Sequence, residues 1–273
     1  MNLEGRVVVV TGAAGGIGTA LARRFAAEKV AALVLADLDG EAAAAVAAEF
    51  AELPVETIGV AADVTSEGQI AELVEETLER YDRIDLFCAN AGITTGVGLE
   101  ASDDVWSRTW AVNVMSHVYS ARAVLPSMLE RGEGYLLHTC SAAGLLTAVG
   151  DAPYAVTKHA AVSFAEWLSI TYGARGIRVS ALCPQGVDTP MLQEGLTAGH
   201  VGARVTAASG QVLPPSAVAD AAVAGLAEER FLILPHPEVA KYYLHRATDT
   251  DRWLAGMRGL AASMGAPDPA RDS

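Results

Sequence analysis

The stretch "VVVVTGAAGGIG", Val7 to Gly18, decides the fold. Four consecutive valines make a run without polar alternation, the pattern of a strand covered on both faces in a parallel sheet. The run breaks at Thr11 and Gly12 and passes into "TALARRFAAE", which has helical periodicity. Glycines at 12, 16 and 18 let backbone N–H groups come close to a bound anion. The helix start behind them offers unpaired donors and the positive end of a dipole, which suits a pyrophosphate. A glycine string alone is weak support, but here an acid, Asp37, follows nineteen residues after Gly18 at the end of "ALVLAD". Strand, glycine loop, helix and acid in that order point to dinucleotide binding.

Asp37 also bears on which dinucleotide is held. A carboxylate at the second strand's end accepts hydrogen bonds from both adenosine ribose hydroxyls and repels a 2′-phosphate, and position 15 is Gly, which supplies no cation. NAD is therefore expected. Asp63 and Val64 in "AADVTS" are expected beside the adenine. "NAG", Asn90 to Gly92, ends a strand with a glycine suited to close backbone approach.

Outward from this unit, apolar runs recur at "AALVLAD", "PVETIGVA", "IDLFCAN", "GYLLHTCS", "GIRVSALCP" and "RFLILP", separated by helical patterns. Alternating strands and helices imply right-handed crossovers. The expected architecture is α/β, a single-domain Rossmann-type doubly wound sheet of seven mainly parallel strands flanked by helices. It is expected over residues 1–262, with a substrate lid at 189–215, a C-terminal helical extension at 236–262 and a flexible tail at 263–273.

Composition narrows the function. The 273 residues are 51% hydrophobic and carry a formal net charge of -14, so nucleic acid and anionic membrane surfaces are disfavoured as partners. "MNLEGRVVVVTG" is too short in apolar residues for a signal peptide, and no run reads as a membrane span, which points to a cytoplasmic protein. Cys88, Cys140 and Cys183 match no zinc spacing and read as buried thiols in a reducing compartment. His117, His138, His159 and His200 form no ligand pair, so no metal is expected.

The chemistry is carried by "SAAGLLTAVGDAPYAVTKH", Ser141 to His159. If "PYAVTKH" opens a helix with Pro153 first, Tyr154 and Lys158 lie one turn apart on one face. An ammonium and a helix N-terminus both favour a phenolate, which would bring the tyrosine below its ordinary value near ~10 and make it a usable base. Ser141 ends a strand at the sheet edge where open α/β folds bind ligands, placed to hold the same substrate oxygen.

With these motifs the chain resembles the short-chain dehydrogenase/reductase family in its compact form: "TGAAGGIG", "NAG", a serine thirteen residues before tyrosine, and Tyr-x-x-x-Lys. The resemblance implies that Tyr154 is the catalytic base and that Ser141 orients the substrate oxygen. It implies that Lys158 binds the nicotinamide ribose and that Asn113, in "WAVNVMSH", holds a water in a proton relay. Ile17, Ala91, Pro184, Val187 and Thr189 are implied to complete the NAD site together with Tyr154 and Lys158. The family packs two long helices across a dimer interface, so a homotetramer is expected from those carrying Trp106 and Trp110, and Phe164, Trp167 and Tyr172.

The chain departs from the family at "CPQGVDTPM", where Gln185 stands in place of a glycine; it either bonds a polar group of the substrate or is a tolerated loop residue. Met191, Leu192, Leu196 and Val201, with Leu145 and Leu146, suggest an apolar pocket. The expected reaction interconverts a hydrophobic secondary alcohol and its ketone. A ketoreductase for 3-oxoacyl or other carbonyl substrates and a non-catalytic dinucleotide sensor stay open as alternatives.

Overall fold

The computed structural model describes residues 1–265. Its centre is one sheet of seven parallel strands: β1 Val7–Thr11, β2 Ala32–Asp37, β3 Glu56–Ala61, β4 Leu86–Ala89, β5 Gly134–Thr139, β6 Ile177–Leu182 and β7 Leu232–Ile233. They lie in the order β3-β2-β1-β4-β5-β6-β7. The order reverses between β1 and β4, which opens a crevice at the carboxyl ends of those two strands.

The valine run behaves as a doubly covered strand should. Val8 and Val10 pack into the layer that holds Leu21, Phe25 and Leu226, while Val9 packs into the opposite layer with Ile70, Phe87 and Leu136. All five residues of β1 are buried.

Helices fill the crossovers: α1 Gly16–Ala27, α2 Gly40–Ala48, α3 Glu67–Tyr81, α4 Asp103–Trp110, α5 Ser116–Arg131, α6 Ala143–Leu146 and α7 Ala152–Tyr172. After β6 come α8 Pro190–Thr197, α9 Val201–Ala208 and α10 Pro215–Ala227, and after β7 come α11 Glu238–Thr248 and α12 Thr250–Ser263. Side-chain caps start several of them, with Asp39 accepting from Ala42 N, Ser66 from Gln69 N and Ser102 from Val105 N.

Three expectations change. The long helix through "WAVNVMSH" is interrupted by a π-helical turn, Ala111–Met115, that contains Asn113. Residues 189–215 are not an open loop but hold α8 and α9, the first started by Thr189 with Pro190 behind it. The helix of "PYAVTKH" begins one residue earlier than Pro153, because Asp151 caps it through Tyr154 N at 3.0 Å. The C-terminal extension is a pair of helices reaching Ser263, and the expected tail lies outside the described residues from 266 onward. No helix among the described residues is long and apolar enough to cross a membrane.

Candidate active site

The glycine loop closes on itself and on the strand beside it. Gly12 has φ +62°, and a Cβ there would lie 2.8 Å from Ala91 Cα. A Cβ on Gly18 would lie 2.0 Å from the Gly12 carbonyl oxygen. Thr11 Oγ1 accepts from Asn90 N at 3.0 Å, and Asn90 Nδ2 donates to the carbonyls of Thr11 and Gly12 at 2.9 and 3.2 Å. Asn90 thus ties β4 to the loop, while its own Oδ1 is buried without a partner. From the other side Thr189 meets the loop at Gly16, where a Cβ would come within 2.7 Å of its Cγ2.

Asp37 stands at the end of β2 and accepts from Ala14 N at 3.0 Å, which couples it to the loop it follows. Beside it lies a shallow groove lined by Leu38, Asp39, Gly40, Glu41 and Ala61. Three carboxylates and no cation border that groove. Asp63 folds back on Thr65, accepting from its N and Oγ1 at 2.8 Å, and its backbone N donates to Gln69 Oε1 at 2.8 Å.

These residues share one cavity of about 1280 Å³ with Ser141, Tyr154 and Lys158. The sequence-predicted residues Gly12, Gly16, Ile17, Gly18, Asp37, Asp63 and Val64 line its near end. Asn90, Ala91, Gly92, Pro184, Val187 and Thr189 line its middle. A glycine-lined cradle, the acid at the end of β2 and the buried unpartnered oxygens of Asn90 and Thr139 fit a dinucleotide.

At the deep end, Ser141 Oγ accepts from Ala143 N at 3.1 Å. Lys158 is 3% exposed; its Nζ donates to the Thr139 carbonyl at 3.0 Å and lies 5.7 Å from the centroid of the Tyr154 ring. The phenol does not follow the expected direction. Burial pushes Tyr154 up to about 12, against a hydrogen-bond contribution from Ser141, and Asp151 adds to the upward push. Burial also lowers the proton affinity of Lys158. The ammonium is spent on a carbonyl and not on the phenol, so in the protein alone Tyr154 is a neutral acid.

Asn113 lies on the π-helical turn and is 0% exposed. Its Oδ1 accepts from Ile93 N at 2.9 Å, and its Nδ2 donates to Ile93 O at 2.9 Å and to Thr157 Oγ1 at 3.1 Å. It therefore braces the segment after β4 against α7.

The far wall is apolar and comes from three places. Leu146, Met191 and Leu192 line it as expected, whereas Leu145, Leu196 and Val201 do not; Leu145 is turned into the core. Tyr242, Trp253, Met257 and Leu260 of the C-terminal helix pair form the rest, so the extension covers the site of its own chain.

Two residues in this region escaped the sequence reading. His236 accepts from Gln185 N at Nδ1 (3.1 Å), and its Nε2 faces the carbonyls of Gly186 (3.0 Å) and Gln211 (3.1 Å), wiring the turn after β6 to the extension. Asp151 is the other. An acid three residues before the tyrosine was visible as a helix-cap signal, but its other contacts depend on tertiary structure.

The three cysteines are buried at or just beyond strand ends, as expected, and burial raises the Cys88 thiol far above its ordinary value. Among the described residues no cluster of His, Cys, Asp or Glu is placed to hold a metal.

Comparison with known proteins gives the family. The family model described as short chain dehydrogenase matches residues 6–198. The 1-deoxy-11-beta-hydroxypentalenate dehydrogenase of Streptomyces exfoliatus is 41% identical over 202 residues, 72% of this chain and 73% of that protein. The 3beta-hydroxysteroid dehydrogenase 2 of Eggerthella lenta is 34% identical over 190 residues, covering 68% and 73%. A crystal structure of a short chain dehydrogenase/reductase from Burkholderia phymatum in complex with NAD superposes with a TM-score of 0.84 at 31% identity, over 92% of this chain and 96% of that one. With its parallel sheet, its glycine loop and these relatives, the chain belongs to the short-chain dehydrogenase/reductase family of oxidoreductases.

Proposed function

We propose that the protein is an NAD-dependent dehydrogenase that interconverts a bulky hydrophobic secondary alcohol and its ketone. The observation that carries the reading is the single cavity that joins the glycine loop and Asp37 at one end to Ser141, Tyr154 and an apolar wall at the other. NAD is favoured over NADP because the groove beside Asp37 also carries Asp39 and Glu41, which would repel a 2′-phosphate. When bound, the nicotinamide would accept the hydride from the carbinol carbon.

The chain's own residues then hold and move the proton. Ser141 Oγ accepts from Ala143 N, and its hydroxyl, which bonds the Tyr154 phenol in the protein alone, would donate to the substrate oxygen held between the two. Tyr154 takes the hydroxyl proton in oxidation and returns it in reduction; the neutral phenol of the protein alone is the form that donates to a ketone. Lys158, anchored on Thr139, holds a positive charge beneath the phenol and would bind the nicotinamide ribose. Asn113 keeps the wall after β4 in place and stands in the proposed proton relay.

The wall suggests the substrate's bulk. Met191 and Leu192 on α8 act as the lid, and Tyr242 and Trp253 close the pocket from the extension, an apolar wall suited to a hydrophobic body, while Arg108 also lines the cavity. Relatives named for a hydroxypentalenate and a hydroxysteroid fit a polycyclic alcohol. We place residues 1–262 in one catalytic unit. A homotetramer is supported by the exposed Trp110, Trp167 and Ile170 on α4 and α7, and a light-scattering mass of one chain would overturn it.

The test is Tyr154→Phe. Turnover of a polycyclic alcohol should fall by roughly 100- to 10,000-fold while NAD binding is kept. Unchanged turnover would remove Tyr154 from the chemistry.

A further inference from the structure

Asp151 is buried, 4% exposed, and forms no ion pair among the described residues. Five donors surround its carboxylate. Thr94 Oγ1 at 2.6 Å, Thr95 N at 2.8 Å and Gly96 N at 2.8 Å converge on Oδ2. Thr95 Oγ1 at 2.6 Å and Tyr154 N at 3.0 Å reach Oδ1. A sixth link runs beside them, from Ala152 N to Val97 O at 3.1 Å. Helix capping requires only one of these contacts. The others bind the segment 94–96, which follows "NAG", to the first turn of the helix that carries Tyr154.

The bound segment is also a seat. Gly96 has φ +67°, and a Cβ there would fall 2.2 Å from His200 Nδ1. Gly150, next to Asp151, has φ +73° and faces Val201, and a Cβ on Gly202 would fall 2.7 Å from Val149 O. The start of α9 therefore rests directly on the two backbone segments that Asp151 joins. Thr94, Gly96, Asp151, His200 and Gly202 all line the large cavity.

We propose that Asp151 is a positioning residue: its carboxylate locks the catalytic helix to the 94–96 segment, and so sets both the place of Tyr154 and the surface on which the lid closes. The proposal rests on the dehydrogenase reading above. The groups that influence the Tyr154 phenol are Ser141, Asp151, Cys140 and Cys183, and the Lys158 ammonium lies near its ring. Of these Asp151 is the negative charge, and it opposes formation of the phenolate.

The test compares wild type, Asp151→Asn, Asp151→Ser and Tyr154→Phe, each as the full chain with NAD, using cyclohexanol, 1-phenylethanol and a 3β-hydroxysteroid as probes. Amide hydrogen exchange at residues 94–97 and 152–156 is read alongside. In Asp151→Asn we expect faster exchange in both segments together, NAD affinity within about 3-fold of wild type, and a plateau kcat lowered roughly 10- to 100-fold. The acid limb of its kcat–pH profile should move to lower pH, because removing the carboxylate's charge eases ionisation of Tyr154. A merely structural role would lower activity without moving that limb. Asp151→Ser keeps a cap for Tyr154 N but loses the contacts to 94–96, and should show faster exchange only in that segment, with KM for the probe raised more than kcat is lowered. Unchanged exchange in Asp151→Asn, or an unmoved acid limb with wild-type KM in both variants, overturns the proposal. No turnover by wild type, or full turnover by Tyr154→Phe, overturns the dehydrogenase reading instead.

Discussion

His117 Nδ1 and His138 Nδ1 lie 2.8 Å apart, on two rings that are both 0% exposed. One ring must donate and the other accept, and both Nε2 atoms are buried without a partner. The contact joins α5, just past the π-helical turn of Asn113, to β5, just before Ser141.

Burial keeps both rings neutral. It pushes His138 down to about 4 and His117 well below its usual value, with the Lys158 charge, and that of His138 whenever it is protonated, adding to the effect on His117. The unfolded chain takes up these protons near pH ~6.5. Between about 4 and ~6.5 the unfolded state therefore binds more protons, and stability is lost as the pH falls through that window. For His138 alone this is on the order of 3 kcal/mol. Melting curves should show a double variant, His117→Val with His138→Leu, losing much less Tm than wild type between pH 6.5 and 4.5. Parallel losses would mean that the acid sensitivity arises elsewhere.

The glycine loop makes a sharper contrast than its motif suggests. A Cβ at Gly18 meets the Gly12 carbonyl at 2.0 Å and Asn90 Nδ2 at 2.9 Å, so Gly18→Ala must displace backbone. At Gly15 the nearest atom would be 3.4 Å away, and its φ is -78°. Calorimetric titration should find NAD binding lost in Gly18→Ala and near wild type in Gly15→Ala. Equal effects would show that the loop tolerates or rejects side chains for another reason.

That contrast marks how far the sequence could be read. The seven-stranded parallel sheet, the glycine loop, and the grouping of Ser141, Tyr154 and Lys158 at one cavity were legible because each depends on short-range patterns: a run of valines, glycine spacing, residues four apart on a helix. The 94–96 clamp, the His117–His138 contact and the His236 anchor were not, because they join residues 21 to 57 positions apart through the fold. The proton affinity of Tyr154 was misread for a related reason. Its neighbours were visible in the sequence, but burial, which outweighs them, is a property of the packed site.

Asp37 is expected to set cofactor choice by charge. Its Oδ2 also accepts from Ala14 N, so removing it costs loop order as well as ribose contacts. In Asp37→Ser, kcat/KM with NAD should fall at least about 10-fold, and the NAD/NADP ratio should move toward NADP. Asp39 and Glu41 remain in the groove, so the preference should narrow without fully reversing. Adding Asp39→Arg to the first change should then favour NADP outright. An unchanged ratio in the single variant would assign the discrimination to the other two carboxylates.

Gln185 offers the clearest handle on what the pocket takes. It stands where a glycine was expected, lines the cavity, and has its Oε1 buried with no partner, near Gly210 and Glu238. Trp253 Nε1, on the opposing helix pair, is buried and unpartnered as well. An unmet acceptor and an unmet donor packed in the wall of the chamber each cost free energy, which a polar group on the substrate can recover if the side chain turns toward it. An alcohol carrying a second hydroxyl or keto group remote from the reacting carbon should therefore be preferred over its mono-hydroxy analogue by about 10-fold in kcat/KM. Gln185→Gly should erase much of that preference while leaving turnover of the mono-hydroxy compound and the NAD KM close to wild type. If both substrates lose activity equally, Gln185 shapes the turn through its backbone contact with His236 and reads nothing on the substrate.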